Sequence, residues 1–141
     1  MDSDIMQNEF QLLEDKKSID QLMLTYFSII SGRYLKKALS AFKEKEGYGQ
    51  EIVFISFKND LDDYDIAQLP RPLDDKHVLV ELGFPAVEID QIAYLDFKTF
   101  YAYLDENVKK EAERNPEGNA YKGLLGNVLI PNTRITKLKC Q

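Results

Sequence analysis

The stretch "EIVFISFKNDLDDYD", Glu51 to Asp65, runs from the most apolar short segment of the chain straight into four aspartates within six residues. Val53, Ile55 and Phe57 occupy one parity and Ile52 and Phe54 the other, so an extended backbone here is apolar on both faces. A strand of that kind is expected to be covered on both sides, in the middle of a sheet or under helices. The turn that follows is then held out from a rigid base. Asp60, Asp62, Asp63 and Asp65 repel one another unless a metal, a basic partner or local backbone donors compensate them.

Upstream, "KSIDQLMLTYFSIISG" places Ile19, Leu22, Met23, Tyr26, Phe27 and Ile30 on one helical face. Ser18 and Gln21 form a capping-box pattern at its start, and Gly32 suits its C-terminal exit. A second helix follows, with Leu35, Ala38, Leu39 and Phe42 inward and Lys36, Lys37 and Lys43 toward water, ending before "GYG" at 47–49. The two predict a helical hairpin. Phe10, Leu12 and Leu13 read either as a short amphipathic turn or as part of a loose terminus.

Downstream, "HVLVELG" alternates Val78, Val80 and Leu82 against His77 and Glu81, which predicts a half-buried strand. "AVEIDQIAYLD" reads as a hairpin of 87–89 and 92–95 around Asp90 and Gln91. Asp96 is the expected N-cap of a third helix carrying Phe97, Phe100, Tyr101, Leu104 and Val108, interrupted at "RNPEGN". A last helix through Tyr121, Leu124, Leu125 and Val128 is expected to stop at Pro131, with Gly123 and Gly126 each costing it about 1 kcal/mol relative to Ala. The fold class is therefore α+β: an N-terminal helical hairpin on a small, mainly antiparallel sheet of about four strands, with one or two C-terminal helices. A single domain spans 1–141, with 1–16 and 132–141 as loose ends and the last ten residues basic through Arg134, Lys137 and Lys139.

Composition narrows the function. The chain has 141 residues, 44% of them hydrophobic, with 8 Tyr and 8 Phe, enough for one packed core. A net charge of −6 argues against direct nucleic-acid binding and favours a basic partner. Neither a signal peptide nor a membrane span is expected, and the only cysteine, Cys140, gives no support to an oxidising compartment, so the cytoplasm is the expected location.

Catalytic groups are scarce. His77 is the only histidine and reads as a surface residue beside Glu81; no Gly-x-Ser-x-Gly motif occurs, and Cys140 lacks fixed electropositive surroundings. "GYGQE" is not a phosphate-binding loop, because it lacks the third glycine and precedes a strand. As a calcium loop starting at Asp60, the acidic stretch would put Tyr64, Asp65 and Arg71 at positions 5, 6 and 12, which fails the required pattern. No cofactor, metal or catalytic residue is expected. Two readings of the aspartates stand side by side. They satisfy backbone donors in a turn, or they present fixed negative charge, resembling a run of phosphates, to a cationic pocket on another protein.

The stretch "YFSIISGRYLKKALSAFKEKEGYGQEIVFISFKNDLDDYD" resembles the core motif of the ribonuclease-toxin immunity proteins of contact-dependent growth inhibition systems. The likeness lies in the Ser31-Gly32-Arg33 step between helices, the Gly47 to Gly49 turn, and Asn59 to Asp65 after the strand. "IAYLDFKTFYAYLDENVKKEAERNPE" resembles the family's strand-to-helix segment, with Asp96 where a Ser cap is usual. The likeness covers roughly 20–117; "IAQLPRPLDDKHVLVELGFP" and the tail after Pro131 fall outside the pattern. It implies a non-catalytic bacterial protein that binds the C-terminal RNase toxin domain of a cell-surface exoprotein. On this reading Asp60, Asp62, Asp63 and Asp65, with Tyr64 as anchor, face the toxin's basic catalytic cleft. Asp74, Asp75, Glu88 and Asp90 widen the field if their loops lie at the same end of the sheet. Within the same reading, part of the motif is a fold determinant that caps helices or bonds to Arg33 and Tyr48. The alternatives are an acidic, nucleic-acid-mimicking regulator of another basic protein, or a small carboxylate-dependent hydrolase.

Overall fold

A computed structural model describes residues 10–128. The expectations for residues 1–9, for Pro131 as a helix stop, and for the tail with Cys140 lie outside the described residues. Five strands, β1 (Gln11–Leu12), β2 (Tyr48–Gln50), β3 (Val53–Ser56), β4 (His77–Leu82) and β5 (Gln91–Asp96), form one sheet in the order β1-β5-β4-β3-β2. All pairings are antiparallel except β1 with β5. The helices are α1 (Lys16–Ile29), α2 (Arg33–Lys43), α3 (Asp63–Ala67), α4 (Phe97–Arg114) and α5 (Gly118–Gly126). The architecture is α+β.

Helix α1 starts one turn-residue set earlier than the capping-box pattern suggests: Asp15, not Ser18, is its N-cap, and its carboxylate accepts the Ser18 N–H at 3.0 Å. Gly32 serves the entry of α2 rather than the exit of α1. Its φ of +58° lets the chain reverse between the helices, a conformation that costs glycine little. Asp96 caps α4 as expected, accepting the Thr99 N–H at 2.7 Å; that bond lowers its pKa.

One face of the sheet carries Val53, Ile55, Val78, Val80, Leu82, Ala93 and Leu95 against the helices. Leu22, Met23, Tyr26, Leu35, Leu39, Phe42, Phe100 and Leu104 fill this main core. Close packing of α5 on α4 requires Gly118, where a Cβ would stand 2.6 Å from the Ala112 carbonyl oxygen. The opposite face is layered by the excursion between β3 and β4: Leu61, Leu69 and Leu73 pack with Leu79, Ile92 and Tyr94. The Arg71 guanidinium stacks 4.5 Å from the Tyr94 ring centroid, and the Tyr94 hydroxyl donates to the Arg71 carbonyl at 2.6 Å.

Three sequence expectations change here. Residues 10–13 form neither a turn nor a loose end: Gln11–Leu12 pairs as β1, with the Gln11 and Leu13 N–H groups donating to the Asp90 and Ile92 carbonyls. The hairpin lies between β4 and β5, with Leu82 opposite Gln91, so 83–90 is a loop and no strand forms at 87–89. Val87 is spent on packing against the main core instead of on a ladder. The strand "VFIS" is covered on one face only along β3, because the outer layer stops short of Phe54, which remains 43% exposed. Its ring lies over Gly49 on edge strand β2, where a Cβ would come within 2.2 Å of the Phe54 Cδ1.

Candidate functional site

Phe57 ends the apolar run by packing among Phe42, Phe97 and Phe100, with ring centroids 6.0–6.1 Å away. From that anchor the chain makes a short 3-10 turn, Lys58–Asp60, and the Asp60 carboxylate folds back on it. Its Oδ2 accepts the Phe57 N–H at 2.7 Å and the Gly47 N–H at 2.8 Å. Gly47 can approach only because it lacks a Cβ, which would stand 2.2 Å from the Ile55 carbonyl oxygen and 2.9 Å from Asp60 Oδ2. The Gly-Tyr-Gly turn and Asp60 are thus one device, tying the start of β2 to the end of β3.

The next carboxylates cap α3 reciprocally. Asp62 Oδ1 accepts the Asp65 N–H at 2.8 Å and Asp65 Oδ2 accepts the Asp62 N–H at 3.3 Å. Local donors therefore compensate Asp60, Asp62 and Asp65, and the bonding runs to backbone groups rather than to Arg33 or Tyr48. Arg33 lies 5.5 Å from the Tyr34 ring centroid, and the Tyr48 carbonyl accepts from the Tyr26 hydroxyl at 2.8 Å. Asp63 and Tyr64 differ. Both sit in the first turn of α3, Tyr64 is 71% exposed, and neither side chain makes a hydrogen bond or ion pair among the described residues.

Asp74 and Asp75 close the excursion immediately before β4, and β4 pairs with β3 so that Leu79 stands opposite Ser56. Both therefore lie at the same end of the sheet as the acidic turn. Asp74 Oδ1 meets His77 Nδ1 at 2.8 Å and the Lys76 N–H at 2.8 Å; the His77 bond first, then the backbone bond, lowers the Asp74 pKa. His77 is accordingly partnered by Asp74, not Glu81. Asp75 is exposed and, with Lys45, Lys58, Asn59 and His77, rims a hollow of about 130 Å³ floored by Phe57 and Phe97.

Glu88 and Asp90 are at the other end, beyond the pairing of Leu82 with Val53 and Gln91. The six-residue length of β4 separates the two ends by about 17 Å. The sheet thus divides the anticipated residues into two groups. At the second end Glu81 projects between Phe54 and Ile92, its cross-strand neighbours. Burial, followed by the charge of Asp90 and a hydrogen bond between the two carboxyls, pushes the Glu81 pKa up to about 7.

Sequence reasoning missed Gly47 as the partner of Asp60, the outer layer made by Leu61, Leu69 and Leu73, and Phe84, which is 78% exposed. The Asp62/Asp65 pair carried a signal: its i, i+3 spacing is that of a capping box. Among the described residues no group of three or more His, Cys, Asp and Glu is disposed to hold a metal. No helix among them is long and apolar enough to cross a membrane. Exposed carboxylates and an exposed tyrosine on a turn fixed by its own backbone bonds are suited to meeting another macromolecule.

A family model described as CDI immunity protein matches residues 16–125, which include both sheet ends and all five helices except Gly126, the last residue of α5. The chain belongs to this family of immunity proteins, whose members act against toxins of contact-dependent growth inhibition. No curated protein and no solved structure matches the chain.

Proposed function

We propose that the protein binds and neutralises the RNase toxin domain at the C-terminus of a contact-dependent growth inhibition exoprotein, acting in the bacterial cytoplasm as a binding protein without a catalytic role. The observation that carries this reading is the exposed, unbonded pair Asp63 and Tyr64 on a turn whose other carboxylates hold it rigid. A charged group that is already fixed loses little freedom on binding, so more of its attraction to a Lys- or Arg-lined cleft survives as affinity. Asp62, Asp65 and Asp74, each bonded to a backbone N–H, and the exposed Asp75 add to the field at that end. The family assignment supports a toxin as partner; the net charge of −6 supports a basic one. Long-range attraction of this kind raises association toward about 10⁸ M⁻¹s⁻¹ at low salt and falls as salt is added. The test is RNA cleavage by the cognate toxin domain, with and without an equimolar amount of this chain. Loss of cleavage is expected; full cleavage at saturating chain would overturn the proposal.

A further inference from the structure

The β4–β5 loop presents a surface that the acidic end does not use. Its base is closed: the Gly83 N–H donates to the Ile52 carbonyl at 2.9 Å, and a Cβ on Gly83 would stand 3.4 Å from Asp90 Oδ1. Its middle is pinned by Val87, packed against the main core. With base and middle fixed, Phe84 and Ile89, the immediate neighbours of the closing residues, remain 78% and 41% exposed. Phe54, opposite Glu81 across the β3–β4 ladder, is 43% exposed. Of the five large apolar side chains exposed among the described residues, three thus belong to one end of the sheet, and a concentration of apolar surface marks contact sites more often than solvated ones.

The surroundings say what fits. Residues 81–90 contain Glu81, Glu88 and Asp90 and no base, and Glu51 adjoins Ile52 at the same end. A complementary occupant therefore offers apolar side chains bordered by Lys or Arg. This is the charge already ascribed to the toxin under the proposed function, on which the inference rests. We infer that Phe84, Ile89 and Phe54 form a second, apolar contact surface for the same basic toxin domain, at the opposite end of the sheet from Asp63 and Tyr64. The length of β4 between the two ends, about 17 Å, is within the span of an ordinary interface of roughly 800 Å² per partner, so one domain lying along the sheet can reach both. The division of labour is physical. Exposed acids steer encounter and set orientation, whereas an aromatic anchor ringed by polar groups holds the complex together.

The experiment is calorimetric titration of the catalytically inactivated cognate toxin domain into four forms of this chain: wild type, F84S/I89S, D63A/Y64A, and the combination of all four substitutions. F84S/I89S is expected to bind about 30-fold more weakly at an unchanged melting temperature, and its effect should multiply with that of D63A/Y64A. Toxin bound by F84S/I89S as tightly as by wild type, while D63A/Y64A binds poorly, would overturn this inference and leave the proposed function standing. A wild-type chain that does not bind the toxin overturns both. A concentration-dependent dimer of the free chain that F84S/I89S abolishes in sedimentation would assign the patch to a second copy and likewise overturn it.

Discussion

At the β3–β4 end of the sheet Asp60, Asp62, Asp65 and Asp74 each accept backbone N–H groups at 2.7–3.3 Å, whereas at the β4–β5 end Glu81 and Asp90 face one another. In the first arrangement the carboxylates accept donors supplied by the chain itself and so hold it in shape. In the second, Glu81 is half-buried beside the charge of Asp90, and both features favour its protonated form. The contrast shows that local density of acid is a poor guide to role; the nearest donor decides it. Within the acidic motif the same rule separates Asp60, which builds the turn, from Asp63, which has no intramolecular partner among the described residues.

Substitutions can break that contrast, beginning with the strongest. Gly47→Ala sets a methyl 2.2 Å from a backbone carbonyl that cannot move without displacing β3, so a loss of about 3 kcal/mol is expected in chemical denaturation. Asp60→Ala strands two backbone donors, and because water can reach this exposed turn the expected loss is about 2 kcal/mol, read from the same curves. Wild-type stability after either change would show that the turn is not built on this bond.

Glu81 sharpens the other side. Its pKa rises from the ordinary 4.5 to about 7 on folding, so the folded state holds the proton more tightly than the unfolded chain does. Stability should therefore decline as pH rises from about 4.5 to about 7 and stay low above that. Glu81→Gln removes the decline. Allowing for partial solvent screening, the variant is expected to be about 1 kcal/mol more stable than wild type near pH 8 and no more stable near pH 4. A gain that is the same at both pH values would contradict the carboxyl–carboxyl account.

What the sequence made legible follows from the range of each interaction. Helices α1, α2 and α4 were readable because burial repeats along one stripe: Leu22, Met23, Tyr26 and Phe27, then Leu35, Ala38, Leu39 and Phe42, then Phe100, Leu104 and Val108. The Asp96 cap was readable because its partner, Thr99, is three residues away. The bond from Gly47 to Asp60 spans thirteen positions and depends on how β2 and β3 pair, so no local pattern announces it. Alternation misled at Val87 and Ile89, where one residue plugs the core and the other faces water, giving the signature of a strand without a ladder. The two-residue β1 is too short to carry a period at all. For the candidate site, the acidic stretch and its flanks were visible as residue types. Their division between two ends of the sheet follows from strand order, which residue types do not encode.

The smallest effect on stability belongs to Asp63→Ala/Tyr64→Ala, expected to leave the melting curve within about 0.5 kcal/mol of wild type because neither side chain holds anything in place. That makes this variant the most direct test of the motif's division into scaffold and contact. Affinity for the proposed toxin partner, measured on the double variant, should fall by about 2–5 kcal/mol while the fold is untouched. Affinity equal to wild type would contradict it, leaving the acidic turn a structural device and the toxin bound elsewhere.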